Sequence, residues 1–502
     1  MNYKVIGRYL GLLLITEGVF LIPPALISLF LHESNAFYAV LATILLAAVV
    51  GGVLFLLCRK CKREFYAKDG LVLVALAWFV LSAFGALPFT LSGEIPNYID
   101  ALFEIISGFT TTGASILTDI EAVSKGLLFW RSFTHWLGGM GILVFIMAIE
   151  PSGKGKGNSF SLHVMRAESP GPSVGKLVPK IGLTAKILYA LYIALTVLCI
   201  GMLLLGGMPV FDSFCIAFGT AGTGGFGILN DSMASYSPYL QTVVTVFMAL
   251  FGINFSVYYL FLRNPRAALR DEEVRTYLLI MLGAILLITL NIYFSATDFG
   301  SFKECLHSAA FHVSSIMTTT GFSIADYNLW PSFSKWIILL LMLLGACAGS
   351  TGGGIKIARF LLIFKSMRAG FKRMLHPRSV QVITLNGKPV EDGILQGLWV
   401  YLSAYAVIFV ISTLLISLDG FSVLTNLSAT LSCLGNIGPG LDAVGPAGNF
   451  ASFSWFSKIV LSLDMLFGRL EIFPLIALFS HDVYRRRNIN IRRRVWMMLF
   501  RL

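Results

Sequence analysis

Long apolar runs alternate with short polar connections along almost the whole chain. Ten segments approach the roughly 20 apolar residues that a membrane-spanning helix needs. They lie at about 5–31, 36–58, 70–91, 128–149, 182–206, 239–262, 276–295, 335–364, 394–418 and 454–480. The pattern predicts an all-α polytopic membrane protein.

A second pattern recurs four times between these segments. A short, mostly apolar stretch, too brief to cross a bilayer, leads into a hexapeptide whose fourth residue is glycine. The hexapeptides are TTTGAS at 110–115, GTGGFG at 222–227, TTTGFS at 318–323 and SCLGNI at 432–437, which aligns Gly113, Gly225, Gly321 and Gly435. A longer apolar segment follows each of them. The chain therefore divides into four helix/pore-loop/helix repeats that follow an N-terminal helical pair.

The predicted organisation follows from these repeats. It comprises the pair at 1–69, unit one with a cytoplasmic loop at 70–181, unit two at 182–275, unit three at 276–393, unit four at 394–480 and a basic tail at 481–502. A short helix, a tight Thr/Gly turn and a spanning helix together form a re-entrant loop. Non-helical backbone at membrane depth is tolerated where it lines water, and carbonyl oxygens there can replace the hydration shell of K+. Packing of small residues between helices is the alternative explanation of the glycines.

Composition agrees with the membrane assignment, and charge sets the expected topology. The chain is 56% hydrophobic and 13% charged with a mean hydropathy of +0.80, whereas soluble domains are about 45–50% apolar. Most of the 38 Lys and Arg residues lie in alternate connections and in the tail. By the positive-inside rule, these connections and both termini are cytoplasmic and the four Thr/Gly loops are outside. The net charge of +12 thus indicates topology rather than a nucleic-acid partner.

The outer side of this topology carries many acidic residues, among them Asp100 and Glu104. Focused negative potential raises the local concentration of cations and weakens with salt. We therefore expect the outer mouth to attract cations through these carboxylates.

Two anomalies fall in the last helices of units three and four. The run ACAGSTGGGIK at 346–356 interrupts the segment 335–364, and a break at that depth must face a cavity. Arg469 lies within the segment 454–480, where a charge is costly enough to indicate a function or a buried partner. Asp464 and Glu471 do not share its helical face. A role in a cavity or gate and a structural ion pair are both open for Arg469.

Nucleotide-binding motifs are not supported. The GxGxxG match at 222–227 lies between membrane segments, whereas a dinucleotide site needs a soluble strand, turn and helix. Lys356 follows a glycine run, but Ile355 and Ile357 flank it, so the phosphate-binding GxxxxGK[ST] pattern is absent.

Cysteine and histidine spacing indicates no metal centre or disulfide framework. The seven cysteines are scattered, mostly in or beside apolar segments. Three histidines lie beside apolar or pore segments without ligand spacing to one another, and we expect structural hydrogen bonds for them: His135, His307 and His312.

Several motifs together resemble those of the Trk/Ktr/HKT superfamily of potassium transporters. They are the four loops, WLGGMG at 136–141, AGSTGGGIK at 348–356 and LGNIGPG at 434–440. The additional N-terminal pair is similar to the bacterial TrkH type rather than to the shorter Ktr type. The resemblance covers essentially the whole chain.

The resemblance implies a pseudo-fourfold pore in one chain and assigns residues to it. The implied K+ filter, acting through backbone carbonyls, comprises Thr111, Thr112, Gly113, Thr223, Gly224, Gly225, Thr319, Thr320, Gly321, Cys433, Leu434, Gly435 and Asn436. The implied gate comprises Gly349, Ser350, Thr351, Gly352, Gly353, Gly354, Lys356 and Arg469. A serine in place of the first filter glycine accompanies sodium transport in the family, so Gly113 favours K+. The fourth loop lacks the threonine run, which makes equal contributions from the four units doubtful.

The resemblance also implies partners. Family members are homodimers in the bacterial cytoplasmic membrane and bind a cytosolic ring of nucleotide-binding regulatory subunits of the TrkA type. No cofactor is expected in this chain, K+ is the transported ion, and a nucleotide is expected only on the partner. An alternating-access carrier is the competing class, but its inverted repeats differ from four units that run in one direction. A membrane enzyme is disfavoured because no paired carboxylates or nucleophile–base set lie close in sequence.

Overall fold

The computed structural model describes residues 1–59, 66–141, 181–295 and 300–481, and these are almost entirely helical. Residues 142–180, in the predicted cytoplasmic loop of unit one, and residues 482–502 of the predicted tail at 481–502 lie outside the described residues. In the described part of the chain, the strands are β1 (Thr384–Leu385) and β2 (Lys388–Pro389), which pair antiparallel as a hairpin. The prediction of an all-α polytopic membrane protein is confirmed.

The N-terminal pair consists of α1 (Tyr3–Phe20), α2 (Ile22–Phe30) and α3 (Ser34–Leu57). The predicted first segment is kinked at Leu21 because two prolines open α2, and proline cannot donate the backbone bond that would continue α1. Gly11 and Gly51 let α1 and α3 approach closely. A Cβ on either would lie within 3.0 Å of the other's carbonyl oxygen, the kind of small-residue contact that packs helices in lipid.

Each of the four units contains a first helix, a short helix and a last helix, and the last helices of units two, three and four break. Unit one has α4 (Ala67–Gly85), α5 (Leu87–Ser92), α6 (Tyr98–Phe109) and α7 (Lys125–Gly139). Unit two has α8 (Ile181–Leu205), α9 (Val210–Gly222), α10 (Pro238–Phe251) and α11 (Phe255–Arg263), followed by α12 (Pro265–Ala268).

The later units repeat this order. Unit three has α13 (Glu272–Phe294), α14 (Phe302–Met317), α15 (Ser332–Leu344) and α16 (Ile357–Leu375). Unit four has α17 (Asp392–Ile416), α18 (Val423–Gly435), α19 (Trp455–Arg469) and α20 (Phe473–Phe479). Short 3-10 turns lie at Tyr327–Leu329, Ser417–Asp419 and Asp442–Val444.

Fewer uninterrupted spans exist than the ten predicted segments. In the described residues, six stretches are long and apolar enough to cross a membrane: Tyr3–Phe30, Ser34–Leu57, Lys68–Ser92, Leu183–Leu205, Glu272–Phe294 and Asp392–Asp419. The bent pair α10 and α11 would make a seventh. The six spans are the N-terminal pair and the first helix of each unit.

The last helices of units two, three and four break. The prediction of an interruption after Ala346 is confirmed, because α15 ends at Leu344 and α16 begins at Ile357. Continuous helices over 239–262 and 454–480 were wrong predictions. The chain bends by 86° between α10 and α11, and Glu471 and Ile472 take positive φ after α19. The segment 128–149 ends as a helix at Gly139, and 142–149 lies outside the described residues.

The short helices α6, α9, α14 and α18 occupy the centre of the molecule. Their C-terminal turns are buried on every side, whereas the long helices α3, α8, α13 and α17 expose rows of leucine and valine. Helices that are apolar on their outer faces are suited to contact lipid. The buried short helices therefore place their last residues close together near the centre.

Candidate ion pathway

Each short helix ends in the same backbone turn. Four residues take left-handed φ angles of 56°, 53°, 58° and 54°, and they are Thr111, Thr223, Thr319 and Asn436. A glycine two positions later is also left-handed, with φ of 83°, 74°, 90° and 103° at Gly113, Gly225, Gly321 and Gly438. We call 111–113, 223–225, 319–321 and 436–438 the four turn segments.

Hydrogen bonds confirm that the turns are equivalent. The middle residue of each segment donates its N–H to a carbonyl near the end of its short helix. The bonds are Thr112 to Ser107 at 2.8 Å, Gly224 to Gly219 at 2.8 Å, Thr320 to Ser315 at 2.8 Å and Ile437 to Ser432 at 2.9 Å. A β-branched residue with positive φ is a genuine outlier, and such strain tends to cluster at functional sites. Three threonines share it here.

The predicted register of the fourth loop was wrong by three residues. Cys433, Leu434 and Gly435 belong to helix α18, and Gly438 rather than Gly435 matches Gly113. Asn436 is part of the turn, as predicted, but it takes the place of the first threonine. Asparagine tolerates the left-handed region because its short polar side chain bonds locally, so a polar turn residue was the better guide to register than the nearest glycine.

The four turn segments contact one another in a closed cycle. A Cβ added to Gly113 would lie within 3.0 Å of the Gly224 carbonyl oxygen. A Cβ added to Gly225 would lie within 3.0 Å of the Thr320 carbonyl oxygen. Likewise, Gly321 faces the carbonyl oxygen of Ile437, and Gly438 faces that of Thr112. Unit four thus closes back onto unit one. Only glycine leaves room for a neighbour's carbonyl at these places.

A cavity of about 140 Å³ opens above this cycle. Its lining includes all four of the positive-φ glycines, Gly113, Gly225, Gly321 and Gly438. The cavity is therefore a vestibule shared by the four units.

The expectation of free carboxylates at the outer mouth was wrong for its two named residues. Glu104 is fully buried, pairs with Arg131 at 2.6 Å and accepts the N–H of Ile116 at 2.9 Å. Asp100 pairs with Lys458 at 2.8 Å. Burial of an ion pair between α6 and α7 makes Glu104 a support of the chain behind the first turn segment, not a surface charge.

The interruption between α15 and α16 forms an intramembrane loop, residues 345–356, packed against units two and three. Gly353 donates its N–H to the hydroxyl of Thr319 at 2.7 Å, directly beneath the third turn segment. On the other side, Cys347 donates to the Gly252 carbonyl and Phe255 donates to the Gly349 carbonyl, both at 3.1 Å. The loop bridges a turn segment and the break in unit two.

Arg469 joins the intramembrane loop to unit one. Its guanidinium donates to the Thr351 carbonyl at 2.8 Å, the Thr111 hydroxyl at 3.2 Å and the Gly139 carbonyl at 2.7 Å, and also to the Gly138 carbonyl. The sequence suggested no partner in its own helix, and these four acceptors are backbone and hydroxyl oxygens from units one and three. A role in a cavity or gate and a structural ion pair both stay predictions for Arg469. Glu471 instead pairs with Arg359 of α16, and Asp464 accepts from the Ser412 hydroxyl at 2.7 Å.

Comparison with known proteins agrees with this geometry. A sequence profile of the TrkH family, described as a cation transport protein, matches residues 37–487. The chain belongs to the TrkH family. It is 37% identical over 491 residues to the Trk system potassium uptake protein TrkH of Salmonella typhimurium, covering 97% of this chain and all of that protein. It is also 31% identical to the Trk system potassium uptake protein TrkG of Escherichia coli, covering 96% of this chain and 99% of that protein.

The fold agrees as well. The crystal structure of the potassium transporter TrkH from Vibrio parahaemolyticus matches with a TM-score of 0.86 and 32% identity, covering 97% of this chain and 100% of that chain. The resemblance inferred from the motifs is thereby confirmed. The chain is a multi-pass membrane protein of a family of cation transporters.

Sequence reasoning missed one buried acid at the loop of this TrkH-family chain. Glu273, at the start of α13, accepts the N–H groups of Ala348 at 2.6 Å and Ala358 at 3.1 Å. Its position at the edge of an apolar segment made it look like an ordinary boundary charge. Lys356, which was predicted, donates to the Gly352 carbonyl within the loop.

The three predicted structural histidines make hydrogen bonds as expected. His135 bonds the Gly108 carbonyl at 2.8 Å, and its other ring nitrogen accepts the N–H of Phe226 at 3.3 Å. His307 bonds Gln241 at 2.8 Å, and His312 bonds the Ala325 carbonyl at 3.0 Å. His135 therefore braces the second turn segment from behind, where Gly224 leaves room for its ring.

Proposed function

We propose that this chain takes up K+ across the bacterial cytoplasmic membrane through a pore formed by the four turn segments. The closed cycle of glycine and carbonyl contacts carries the proposal. A ring of backbone carbonyls in which every segment fixes its neighbour can hold oxygens at distances that substitute for water around an ion. The relatives' description as potassium uptake proteins supports K+ as the ion.

The filter residues in this proposal differ from the sequence assignment in unit four only. They are Thr111, Thr112, Gly113, Thr223, Gly224, Gly225, Thr319, Thr320 and Gly321, with Asn436, Ile437 and Gly438 in place of 433–436. Because no side-chain cluster of metal-binding type occurs among the described residues, selection of K+ is assigned to the backbone. Unit four contributes an amide side chain where the others contribute a hydroxyl, and Asn436 donates to the Thr112 hydroxyl at 3.0 Å.

We further propose that the intramembrane loop and Arg469 form the gate. The loop lies under the third turn segment, and the guanidinium lies under the first, at 3.2 Å from the Thr111 hydroxyl. A fixed positive charge there repels K+, and the repulsion is strong where the dielectric constant is low. An opening motion must release the bond between Arg469 and the Thr351 carbonyl.

The proposed assembly is a homodimer that binds a cytosolic nucleotide-binding regulatory subunit of the TrkA type. The relatives' description as parts of a Trk system supports a multi-component transporter. Both termini would be cytoplasmic, as the distribution of Lys and Arg predicts. Co-purification of tagged and untagged copies tests the dimer, and addition of the regulatory subunit to flux assays tests the partnership.

Ion flux into liposomes of the purified protein tests the function directly. The parent protein should pass K+ faster than Na+, and Gly113→Ser should reduce that preference because the side chain displaces the Gly224 carbonyl. Gly93→Ser is a matched control, since Gly93 has the same φ of 83° but no atoms within 4 Å of an added Cβ. Equal K+ and Na+ flux through the parent protein, or unchanged selectivity in Gly113→Ser, would contradict the proposal.

A further inference from the structure

Three consecutive acidic residues lie at the start of α13, and together they contact two other parts of the chain. Asp271 is the N-cap of the helix, Glu272 lies at the surface, and Glu273 is 5% exposed. N-cap carboxylates are common for structural reasons alone. In this protein, the same triplet also touches the intramembrane loop on one side and the cytoplasmic hairpin β1–β2 on the other.

Glu273 holds both ends of the intramembrane loop with one oxygen atom. Its Oε1 accepts from Ala348, near the start of the loop, and from Ala358, in the first turn of α16. All the loop glycines from 349 to 354 lie between these two donors. The carboxylate thus ties the two ends of the loop to each other and to α13.

Asp271 and Glu272 hold the hairpin. Asn386, at the hairpin turn, donates its side-chain N–H to Asp271 Oδ2 at 2.8 Å, and its Oδ1 accepts the backbone N–H of Glu272, also at 2.8 Å. Lys365 of α16 forms an ion pair with Glu272 and donates to the Thr384 carbonyl of β1 at 2.8 Å. The side-chain amide of Asn386 therefore fixes the hairpin to the N-terminus of α13 through both its N–H group and its oxygen atom.

We propose that the acidic N-terminus of α13 couples the hairpin 384–389 to the intramembrane loop. A cytosolic protein that displaces the hairpin would move Asp271 and Glu272, and Glu273 would then lose its hold on Ala348 and Ala358. The two sites share one rigid helical turn, which is the physical element that such coupling requires. In this mechanism Glu273 is a positioning residue. This inference rests on the proposed role of the loop as a gate.

Accessibility of the loop tests the coupling without measuring ion flux. Ser350 is half-buried in the loop and bonds the Cys347 carbonyl at 2.7 Å. A Ser350→Cys variant of the full chain in liposomes is treated with a membrane-impermeant maleimide from the face bearing the hairpin. Mass spectrometry with peptide fragmentation then locates the label at position 350, because the native Cys347 lies on the same peptide, three residues away.

Asn386→Ala is the decisive variant because Asn386 is exposed and contributes nothing to the membrane core. In the Ser350→Cys background, we expect it to raise the labelling rate at position 350 about threefold to tenfold, the range set by the loss of one or two hydrogen bonds to charged or backbone groups. Lys388→Ala on the same hairpin is the matched control, since its side chain makes no hydrogen bond or ion pair among the described residues. Equal labelling in Asn386→Ala and Lys388→Ala would overturn the proposal.

Glu273 is tested by a graded pair of variants. Glu273→Ala removes the hydrogen-bond acceptor and should give the highest labelling rate at position 350. Glu273→Gln retains a carbonyl oxygen, so its labelling rate should lie between those of Glu273→Ala and the parent protein. If Glu273→Ala does not fold, the labelling rates of Asn386→Ala and Glu273→Gln decide whether the coupling exists. Glu273→Gln labelling as fast as Glu273→Ala would refute hydrogen-bond positioning. A parent protein that fails to conduct K+ contradicts the proposed function but leaves these labelling comparisons valid.

Discussion

The four turn segments and the intramembrane loop lie against each other but are held in different ways. The turn segments are fixed by main-chain contacts, in which each glycine admits the carbonyl of the next unit. The loop has main-chain bonds to unit two and is also held by two side chains, Glu273 of its own unit and Arg469 of unit four. Main-chain packing has no alternative arrangement at low cost, whereas side-chain hydrogen bonds can be exchanged. In the proposed function, this difference gives a rigid filter and a gate that can be released.

Glycine also recurs where the last helices of units one and four contact the short helices. These glycines are a further case of main-chain packing near the turn segments. A Cβ on Gly138 would overlap the Phe109 carbonyl oxygen, and one on Gly468 would overlap that of Leu434. These pairs occupy equivalent places in units one and four. Arg469 thus stands where unit one has Gly139, so the cycle is symmetric in its backbone but not in the side chains beneath it.

Breaking the buried ion pair behind the first turn segment should have the largest effect. Glu104→Gln leaves the Arg131 guanidinium buried over the Phe226 ring, 3.5 Å from its centre, without a counter-charge. Removing one partner of a buried pair costs about 3–5 kcal/mol, and we expect a comparable loss of stability in thermal unfolding of the detergent-solubilised protein. The double variant Glu104→Gln with Arg131→Met should recover part of it. A loss of uptake that vanishes at high salt, with normal stability, would restore the idea of an outer attracting charge.

A side chain added within the cycle of glycine and carbonyl contacts should have the second largest effect. Gly225→Ala places a side chain against the Thr320 carbonyl at a φ of 74°, whereas Gly420→Ala has a φ of 78° and no atoms within 4 Å. Strain at such a φ costs about 1–3 kcal/mol in both, and the overlap adds to it only at Gly225. K+ against Na+ flux and melting temperature measured on both variants isolate the overlap. Identical selectivity in the two would mean that the cycle does not set the filter.

The gate should respond more weakly. Arg469→Ala removes the donor to the Thr351 carbonyl and the positive charge under Thr111, so K+ flux without the partner should rise about tenfold, the equivalent of one charged hydrogen bond. Selectivity should be unchanged because the turn segments are intact. Arg469→Lys keeps the positive charge but has fewer hydrogen-bond donors, so its K+ flux should rise less than that of Arg469→Ala. Flux in Arg469→Ala no higher than in the parent protein would place the gate elsewhere.

The smallest effect concerns acid stability at the outer rim. Hydrogen bonds from the Ser422 and Thr425 hydroxyls hold the pKa of Asp442 below its usual range. A lowered folded-state pKa stabilises the protein above the unfolded pKa of about 4 and loses that contribution as the pH falls through the folded value. Below about pH 4, the melting temperature of Asp442→Asn should therefore fall less with decreasing pH than that of the parent protein. Parallel melting curves for the two proteins would exclude this contribution.

Much of this protein follows from local sequence. Apolar length alone predicted a multi-pass helical protein, and recurrence of a glycine hexapeptide located all four turns to within a few residues. Proline at 23–24 and glycine at 349–354 marked real interruptions. These features are local because hydrophobic length, missing N–H donors and left-handed φ act within a few residues.

Contacts between distant parts of the chain were decided by tertiary structure. Register in unit four depended on Gly438 meeting Thr112, which lies more than three hundred residues away. Glu104 and Asp100 looked like surface charges until Arg131 and Lys458 were placed beside them. Arg469 found its acceptors on units one and three, and Glu273 found its donors across a loop. A charged side chain in a membrane protein is stabilised by whatever oxygen or N–H group folding brings near it, and spacing along one helix carries no information about groups supplied by another.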